Sequence, residues 1–430
     1  MKQRNKKIRV TGKYYEENVS MKRRTFIRTG SIAPLVTAIP IAALDAQAAG
    51  AVGGIVDTVE QRYYYLKTML DSLCTRLGPR PSGSEAFKRG INLIKSEMKR
   101  SLPEVMLDEY NTERWELADD PKLSVGGRTI EAFPYHGSLG TPKTGARGIL
   151  KKNTGGSPFS IVERSGGEVL ANINISQYGP AIPANAYRDG KMAPTPIFGV
   201  GKYDRPLLEK AAQEKSRVFA SSNVKITQNV PSWNAVGRLP GKSDKEIVVL
   251  AHADTVYTSP GANDNTASVL VMLMMVHELS KIDHDYTLTF VATGSEEYGL
   301  QGAYAYAKRR AEEGTIGNIK QILQFDSLTY GPDFLLNSKD KGLRDLVDSI
   351  NTELEIKGKP RHSENSEWVM DALPFRESGA RAIFINSRGY DGVTLPVYHR
   401  AEDNQETVGF DCVDNSFRVF TEYIKRIQTI

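Results

Sequence analysis

Between Ile55 and Leu77 apolar residues fall at helical spacing, at Val59, Tyr63, Leu66, Leu70, Leu73 and Leu77. The turn-forming run Gly78-Pro79-Arg80-Pro81-Ser82-Gly83 stops them, and a second helix is expected from about Ser84 to Arg100. From about Lys122 to Ala220 the texture changes to short apolar runs broken by Gly126-Gly127, Gly137 to Pro142, Gly155-Gly156-Ser157-Pro158 and Gly179-Pro180, which predicts a small β-rich unit. Beyond Asn234 strand and helix patterns alternate. Strands are expected at Ile247 to Ala251, Leu288 to Ala292, Ile322 to Phe325, Phe334 to Leu336 and Ala382 to Ile385. Helices are expected at Ala267 to Leu279, Ala303 to Ala311, Leu343 to Leu354 and Val413 to Ile427. Apolar strands alternating with helices predict an α/β fold, a mostly parallel central sheet flanked by helices, with the β-rich unit inserted into it. The divisions expected are 1–48, 49–121 for the first part of the main domain, 122–220 for the insertion and 221–430 for the rest. In such sheets ligands bind beyond the carboxyl ends of the strands, so the chemistry is to be sought there.

Composition agrees with a globular protein. With 430 residues, 40% AVILMFWYC and 37 glycines, the chain is not predominantly disordered, collagenous or coiled coil. Its net charge of +5 would invite a nucleic-acid partner, but the charge is not evenly spread. Residues 1–48 hold ten Lys and Arg against three Asp and Glu, a surplus of seven, which leaves the remainder at −2. No basic footprint for nucleic acid survives in the body of the chain.

The basic amino-terminal stretch has another explanation. Met21 opens a segment with Lys22, Arg23 and Arg24, followed by Thr25-Phe26-Ile27, a weakly apolar run from Ile32 to Leu44, and Ala46-Gln47-Ala48 before Ala49. These are the charged, apolar and small-residue regions of an export signal, and Arg23 to Ile27 resembles a twin-arginine signal. The apolar run contains Pro34 and Pro40 and falls short of the ~20 residues a membrane-spanning helix needs, so no stable membrane anchor is expected. Residues 1–20 read as an upstream extension, and a periplasmic or extracellular mature chain starting near Ala49 follows. The two cysteines, Cys74 and Cys412, lie far apart inside expected helices; pairing and two buried thiols are both open, and neither forms a CxxC metal motif.

Candidate chemistry stands just after the expected strands. His252-Ala253-Asp254 follows the first, Glu296-Glu297 follows the second and Asp326 the third. Gly261-Ala262-Asn263-Asp264-Asn265 opens the helix from Ala267, and Tyr398-His399 follows the last strand through a loop. Each alone has an ordinary explanation: an aspartate at a helix start caps it, and a glutamate pair faces water. Together they form a nitrogen and oxygen donor set of the kind that suits zinc or a similar divalent ion, with one carboxylate to spare as a base.

The series His252-x-Asp254, Gly261 to Asn265, Glu296-Glu297, Asp326 and Tyr398-His399 with Asp403 resembles the co-catalytic dizinc exopeptidase family of secreted bacterial aminopeptidases. Glutamate carboxypeptidases and the transferrin receptor are its relatives. The resemblance covers residues 222–430 well and 55–120 loosely, and residues 122–220 are similar to a protease-associated domain. It implies the zinc exopeptidase fold and two zinc ions. Asp264 would bridge them, His252 and Asp326 would complete one site, and Glu297 and His399 the other. Glu296 would be the general base. Asp254 would hydrogen-bond His252 and fix its tautomer, Asp403 would do likewise near His399, and the Asp264–Asn265 peptide bond would be cis. Tyr398 would be either a donor to the oxyanion or a packing residue.

Two departures from the family pattern bear on substrate fit. Asn265-Thr266-Ala267-Ser268-Val269 lacks the glycine often found there, and Arg400 replaces the usual threonine. Of the remaining histidines, His277 is expected to be structural, His284 a loop residue and His362 a candidate for the substrate pocket; the pattern says nothing about His136.

The resemblance implies a peptide substrate and release of amino-terminal residues. A carboxypeptidase or dipeptidase would need an arginine for a free carboxylate, and Arg361, Arg376, Arg388 and Arg400 are available. A glutaminyl cyclase uses a single zinc, which the complete five-ligand set opposes. A non-catalytic binding module predicts lost ligands, and none is lost. Neither side-chain preference nor oligomeric state is written in these motifs.

Overall fold

The computed structural model describes residues 54–428 apart from 166, 188–190, 365–369 and 388–396. The export signal expected over residues 1–48, with Arg23 and Arg24, and the candidate Arg388 lie outside the described residues, as does the side chain of Arg376.

The main sheet has eight strands: β1 (Glu104–Leu117), β2 (Val224–Leu239), β3 (Ser243–His252), β4 (Tyr286–Thr293), β5 (Ile319–Phe325), β6 (Phe334–Asn337), β7 (Arg361–Ser363) and β8 (Arg381–Ser387), in the order β1-β2-β4-β3-β5-β8-β6-β7. The central strands β4, β3, β5 and β8 run parallel, whereas β1 on β2, β2 on β4 and β6 on β8 are antiparallel. The helices are α1 (Val59–Leu70), α2 (Glu85–Met98), α3 (Arg205–Gln213), α4 (Ala267–Leu279), α5 (Gln301–Glu312), α6 (Lys341–Glu353) and α7 (Phe410–Ile427). The side chain of Thr58 caps α1 in a reciprocal pair with Gln61, and Ser84 caps α2. Beyond Leu70 the first helix continues in wider turns over Asp71–Leu77 and stops at Gly78, whose φ of 67° ends it.

Strand β3 shows why its sequence reads as an unbroken apolar run. Ile247, Val249 and Ala251 point into one core with α1, α2, α4 and α7, while Val248 and Leu250 point into a second with Tyr306 and Ala307 of α5. A strand covered on both faces has no polar side to show. Helix α4 is likewise buried along nearly its whole surface, at Ala267 to His277 and Leu279, because it lies under the sheet and is itself covered by α1, α2 and α7.

A second eight-stranded sheet holds residues 122–134, 146–175 and 197–221, with α3 packed on it through Leu208 and Ala211. The chain leaves the main sheet along β1 and returns along β2, paired in antiparallel register from Glu104 with Arg238 to Leu117 with Val224. The same pairing continues into the second sheet, where Lys122 faces Ser221. The long β1–β2 ribbon therefore leads from the main sheet into the second and back.

Candidate metal centre

Three strand ends, one turn and one loop meet at the carboxyl edge of the parallel strands. His252 is the last residue of β3, Asp326 follows β5 directly, and Glu296 and Glu297 lie three and four residues past β4. Asp264 sits in the turn Ala262–Thr266 that leads into α4, and His399 arrives from the loop after β8. Among the described residues two groups bring metal-ligating atoms together: His252 with Asp264 and Asp326, and Asp264 with Glu297 and His399, each within 4.8 Å of one another.

The two oxygens of Asp264 divide between the groups. Oδ1 lies 3.2 Å from His252 Nε2, and Oδ2 lies 3.4 Å from His399 Nε2. His252 Nε2 is 3.9 Å from Asp326 Oδ1, and His399 Nε2 is 3.1 Å from Glu297 Oε1. Asp264 Oδ1 and His399 Nε2 are buried with no hydrogen-bond partner. Two buried imidazoles and three carboxylates aimed at shared points are a set a divalent cation would satisfy, so the residues present fit zinc.

Electrostatics say the same. Burial alone would lower the imidazole of His252, but Asp264 and Asp326 raise it well above its ordinary value. His399 is raised in the same way by Glu297 and Asp264. Burial would raise the Asp264 carboxyl, yet the two imidazoles beside it bring it below the ordinary carboxylate range. A centre that draws protons onto its ligand nitrogens will draw a metal cation there too. Glu296 is outside both ligand groups, and burial pushes its carboxyl well up, with His252 opposing and Glu297, Asp326 and Asp371 adding to the rise. That is the condition of a base beside a cation site.

The carboxylates of Asp254 and Asp403 act on the backbone, while the Asp254 main-chain oxygen meets an imidazole. His252 Nδ1 meets the main-chain oxygen of Asp254 at 3.1 Å, while the carboxylate is 3.7 Å away. That carboxylate accepts the backbone N–H groups of Glu296 and Glu297 at 3.0 and 3.2 Å. Asp403 does not touch His399; its oxygens accept from the backbone of Asn263 and Asp264 at 2.9 and 3.1 Å and from the Asn263 side chain. Asp254 thus meets His252 as expected, though through its carbonyl and not its carboxylate, whereas Asp403 departs from the expected contact with His399. Unpaired backbone N–H groups at a buried turn need acceptors, and a carboxylate two residues past a strand end reaches them. The partner of His399 Nδ1 is the Pro183 carbonyl of the second sheet's unit, at 3.1 Å. The ring of Tyr398 stacks on His399 and lies tilted against Tyr178. The Asp264–Asn265 bond is cis.

Sequence reasoning missed the support behind the site. Arg80, read only as part of a helix stop, is buried and donates to the carbonyls of Leu73, Gly78 and Pro260 and to Thr266 Oγ1. Ser82 and Tyr110 bond the hydroxyl of Ser295, the residue before Glu296, which has a φ of 59°. Asp371 accepts from Thr293 at the end of β4. The Gly78 to Gly83 run was a visible signal, but nothing in a sequence separates a buried arginine from an exposed one. Elsewhere, His362 pairs with Asp348 of α6 at 2.8 Å, and His277 pairs with Ser101 and packs on Tyr65. His136 is buried against Trp115, Tyr187 and Tyr298, and both cysteines are free.

Residues 234–424 match the model of peptidase family M28. This stretch of the chain is that of an M28 peptidase. Among its M28 relatives, aminopeptidase YwaD of Bacillus subtilis is 27% identical over 370 residues, 79% of each chain. The probable lipoprotein aminopeptidase LpqL of Mycobacterium tuberculosis is 24% identical over 77% of this chain and 70% of its own. Leucine aminopeptidase 2 of Trichophyton equinum is 25% identical over 57% of this chain, so the match spans about half of that protein, 54%. The fold is that of BSAP, a zinc aminopeptidase from Bacillus subtilis (TM-score 0.66, 22% identity, 84% of this chain and 93% of that one). It is also that of an M28 peptidase precursor from Shewanella amazonensis (TM-score 0.70, 16% identity, 86% and 96%).

Proposed function

We propose that this M28 chain is a zinc-dependent aminopeptidase with two ions per active site, exported through the twin-arginine signal at Arg23-Arg24. The observation that carries the reading is Asp264, whose two oxygens face two different imidazoles. His252, Asp264 and Asp326 would hold one ion and Asp264, Glu297 and His399 the other. Zinc held there supplies a Lewis acid for the scissile carbonyl and acidifies water. Glu296, raised by burial, takes the proton from the attacking water and returns it to the leaving amine. Asp254 holds the backbone of Glu296 and Glu297 so that neighbouring carboxylates keep separate tasks. The relatives named for aminopeptidase activity support release of amino-terminal residues over the carboxypeptidase reading. So does Arg400, whose guanidinium is engaged by Glu131, Glu402 and the Ala181 carbonyl. The test is zinc content together with hydrolysis of aminoacyl and carboxyl-terminal reporter peptides by the mature chain. Two zinc ions and aminoacyl hydrolysis are expected; cleavage of only the carboxyl-terminal reporter would overturn the aminopeptidase reading.

A further inference from the structure

The residue after the ligand His399 reaches back into the inserted unit. Arg400 Nη1 donates to the main-chain oxygen of Ala181 at 2.8 Å and to Glu131 Oε2 at 3.1 Å, and Nη2 lies 3.3 Å from Glu131 Oε1. Two residues beyond Ala181, the Pro183 carbonyl meets His399 Nδ1. A carbonyl can only accept, so this contact places the imidazole proton on Nδ1 and leaves the lone pair on Nε2. Nε2 is the atom turned toward Asp264 and Glu297.

His399 is held at other points as well. Its φ is 57°, a left-handed conformation that few residues other than glycine adopt, and its own carbonyl accepts from Thr258 Oγ1 at 2.7 Å. Ala181 and Ile182 are buried, so the segment that presents the Pro183 carbonyl is seated and not loose on the surface. The same seam is closed nearby, where Tyr257 donates to the Pro134 carbonyl at 2.8 Å and His136 stacks on Tyr298, the residue after Glu297. Both loops that carry the second ligand pair therefore rest on the inserted unit.

We propose that Arg400 is a positioning residue: by clamping Ala181 to Pro183 it keeps the Pro183 carbonyl on His399 Nδ1, so the inserted unit sets the tautomer and aim of one metal ligand. The unit is then part of the metal centre, and the two metal positions differ in what they depend on. The Glu297–His399 position relies on the inserted sheet. The His252–Asp326 position is built from the main sheet alone. Within the clamp the bond to Ala181 carries the effect, because the Glu131 side chain is 53% exposed and an ion pair open to solvent contributes little.

This inference rests on the two-metal reading above, and one experiment separates the two. Zinc binding is titrated against a chromophoric chelator for the wild-type mature chain, Arg400→Met, Arg400→Lys and Glu131→Gln, with metal-free thermal unfolding alongside and cobalt(II) spectra of the substituted proteins. The wild type is expected to bind two ions. Arg400→Met should bind one as tightly as before and the other ~10- to 100-fold more weakly, the range for loss of a group that orients a ligand histidine. Its cobalt spectrum should change for that ion only, its metal-free unfolding temperature should stay near wild type, and Glu131→Gln should change affinity less than about threefold. If Arg400→Met does not fold, Arg400→Lys carries the test, since a freely rotating ammonium lacks the planar fork that fixes Nη1 on the Ala181 carbonyl. Two ions bound with unchanged affinity in the arginine variants would overturn the positioning role alone. Equal weakening of both ions with a lowered metal-free transition would show a merely structural residue. A wild type that binds fewer than two ions would overturn the two-metal reading and this inference with it.

Discussion

Glu296 and Glu297 are neighbours on one turn, with amides held by the same carboxylate, yet their side chains face different partners. Glu297 Oε1 lies 3.1 Å from His399 Nε2, while Glu296 belongs to neither ligand group. Glu296→Gln keeps size and removes the proposed base, so zinc should stay bound while turnover falls ~100- to 10,000-fold. Glu297→Gln should instead lose one zinc, read by metal analysis of the purified protein. If the outcomes are exchanged, so are the roles. Their identities were legible because both stand just past an apolar strand. Their division of labour was legible only through the family resemblance, because adjacency in sequence says nothing of which side chain turns toward an imidazole.

At the scale of the element, the turn from Gly261 to Thr266 sets Asp264 between the two imidazoles. Gly261 has a φ of 63°, and a Cβ there would meet Thr255 Cγ2 at 2.3 Å and the Asp264 carbonyl at 2.4 Å. Gly261→Ala should therefore push the turn away from its place, destabilise the chain by roughly 1–3 kcal/mol and reduce zinc content. Urea unfolding and metal analysis check both; an unchanged midpoint with full zinc would show that the turn yields freely. The helices and parallel strands were readable because apolar periodicity and apolar runs mark them. The antiparallel ribbon of β1 and β2 was not. Its strand Glu104–Leu117 mixes Glu104, Asp108, Glu109 and Arg114 with Val105, Leu107 and Trp115, since much of it stands outside the packed core, and what defines it is a partner more than 100 residues away.

For the whole molecule, the buried carboxyls around the centre set a pH dependence. Burial raises Asp254 to about 7, and Asp371 and Asp403 to about 6, while His252 and His399 are raised well above their ordinary value despite burial, by carboxylate partners. Groups whose folded values lie above their unfolded ones contribute stability that is present at low pH and lost as pH rises through the folded values. Asp264, lowered, loses its contribution only in more acidic solution. The metal-free chain should thus unfold at lower temperature as pH rises from 5 to 8, and the gain from added zinc should grow over the same range. Scanning calorimetry with and without zinc decides it; a metal-free transition that rises with pH would sink the account. Export belongs to this scale too. Replacing both Arg23 and Arg24 by Lys should leave the enzyme in the cytoplasm, and recovery outside the cytoplasm by fractionation would show the signal misread.

The sequence by itself determined the parallel α/β core and every candidate ligand, because polar residues interrupt the apolar runs at three strand ends, and these with the Gly261–Asn265 and Tyr398-His399 motifs stand in the order of a known family. Only the tertiary structure decided what holds those ligands in place. The acceptor for His399 Nδ1 is a main-chain carbonyl at Pro183, 216 residues away, and a carbonyl is present at every position of every chain. Asp254 and Asp403 turned to backbone amides for the same reason: main-chain donors leave no mark in a sequence, and their need for partners is felt only once the turns are buried.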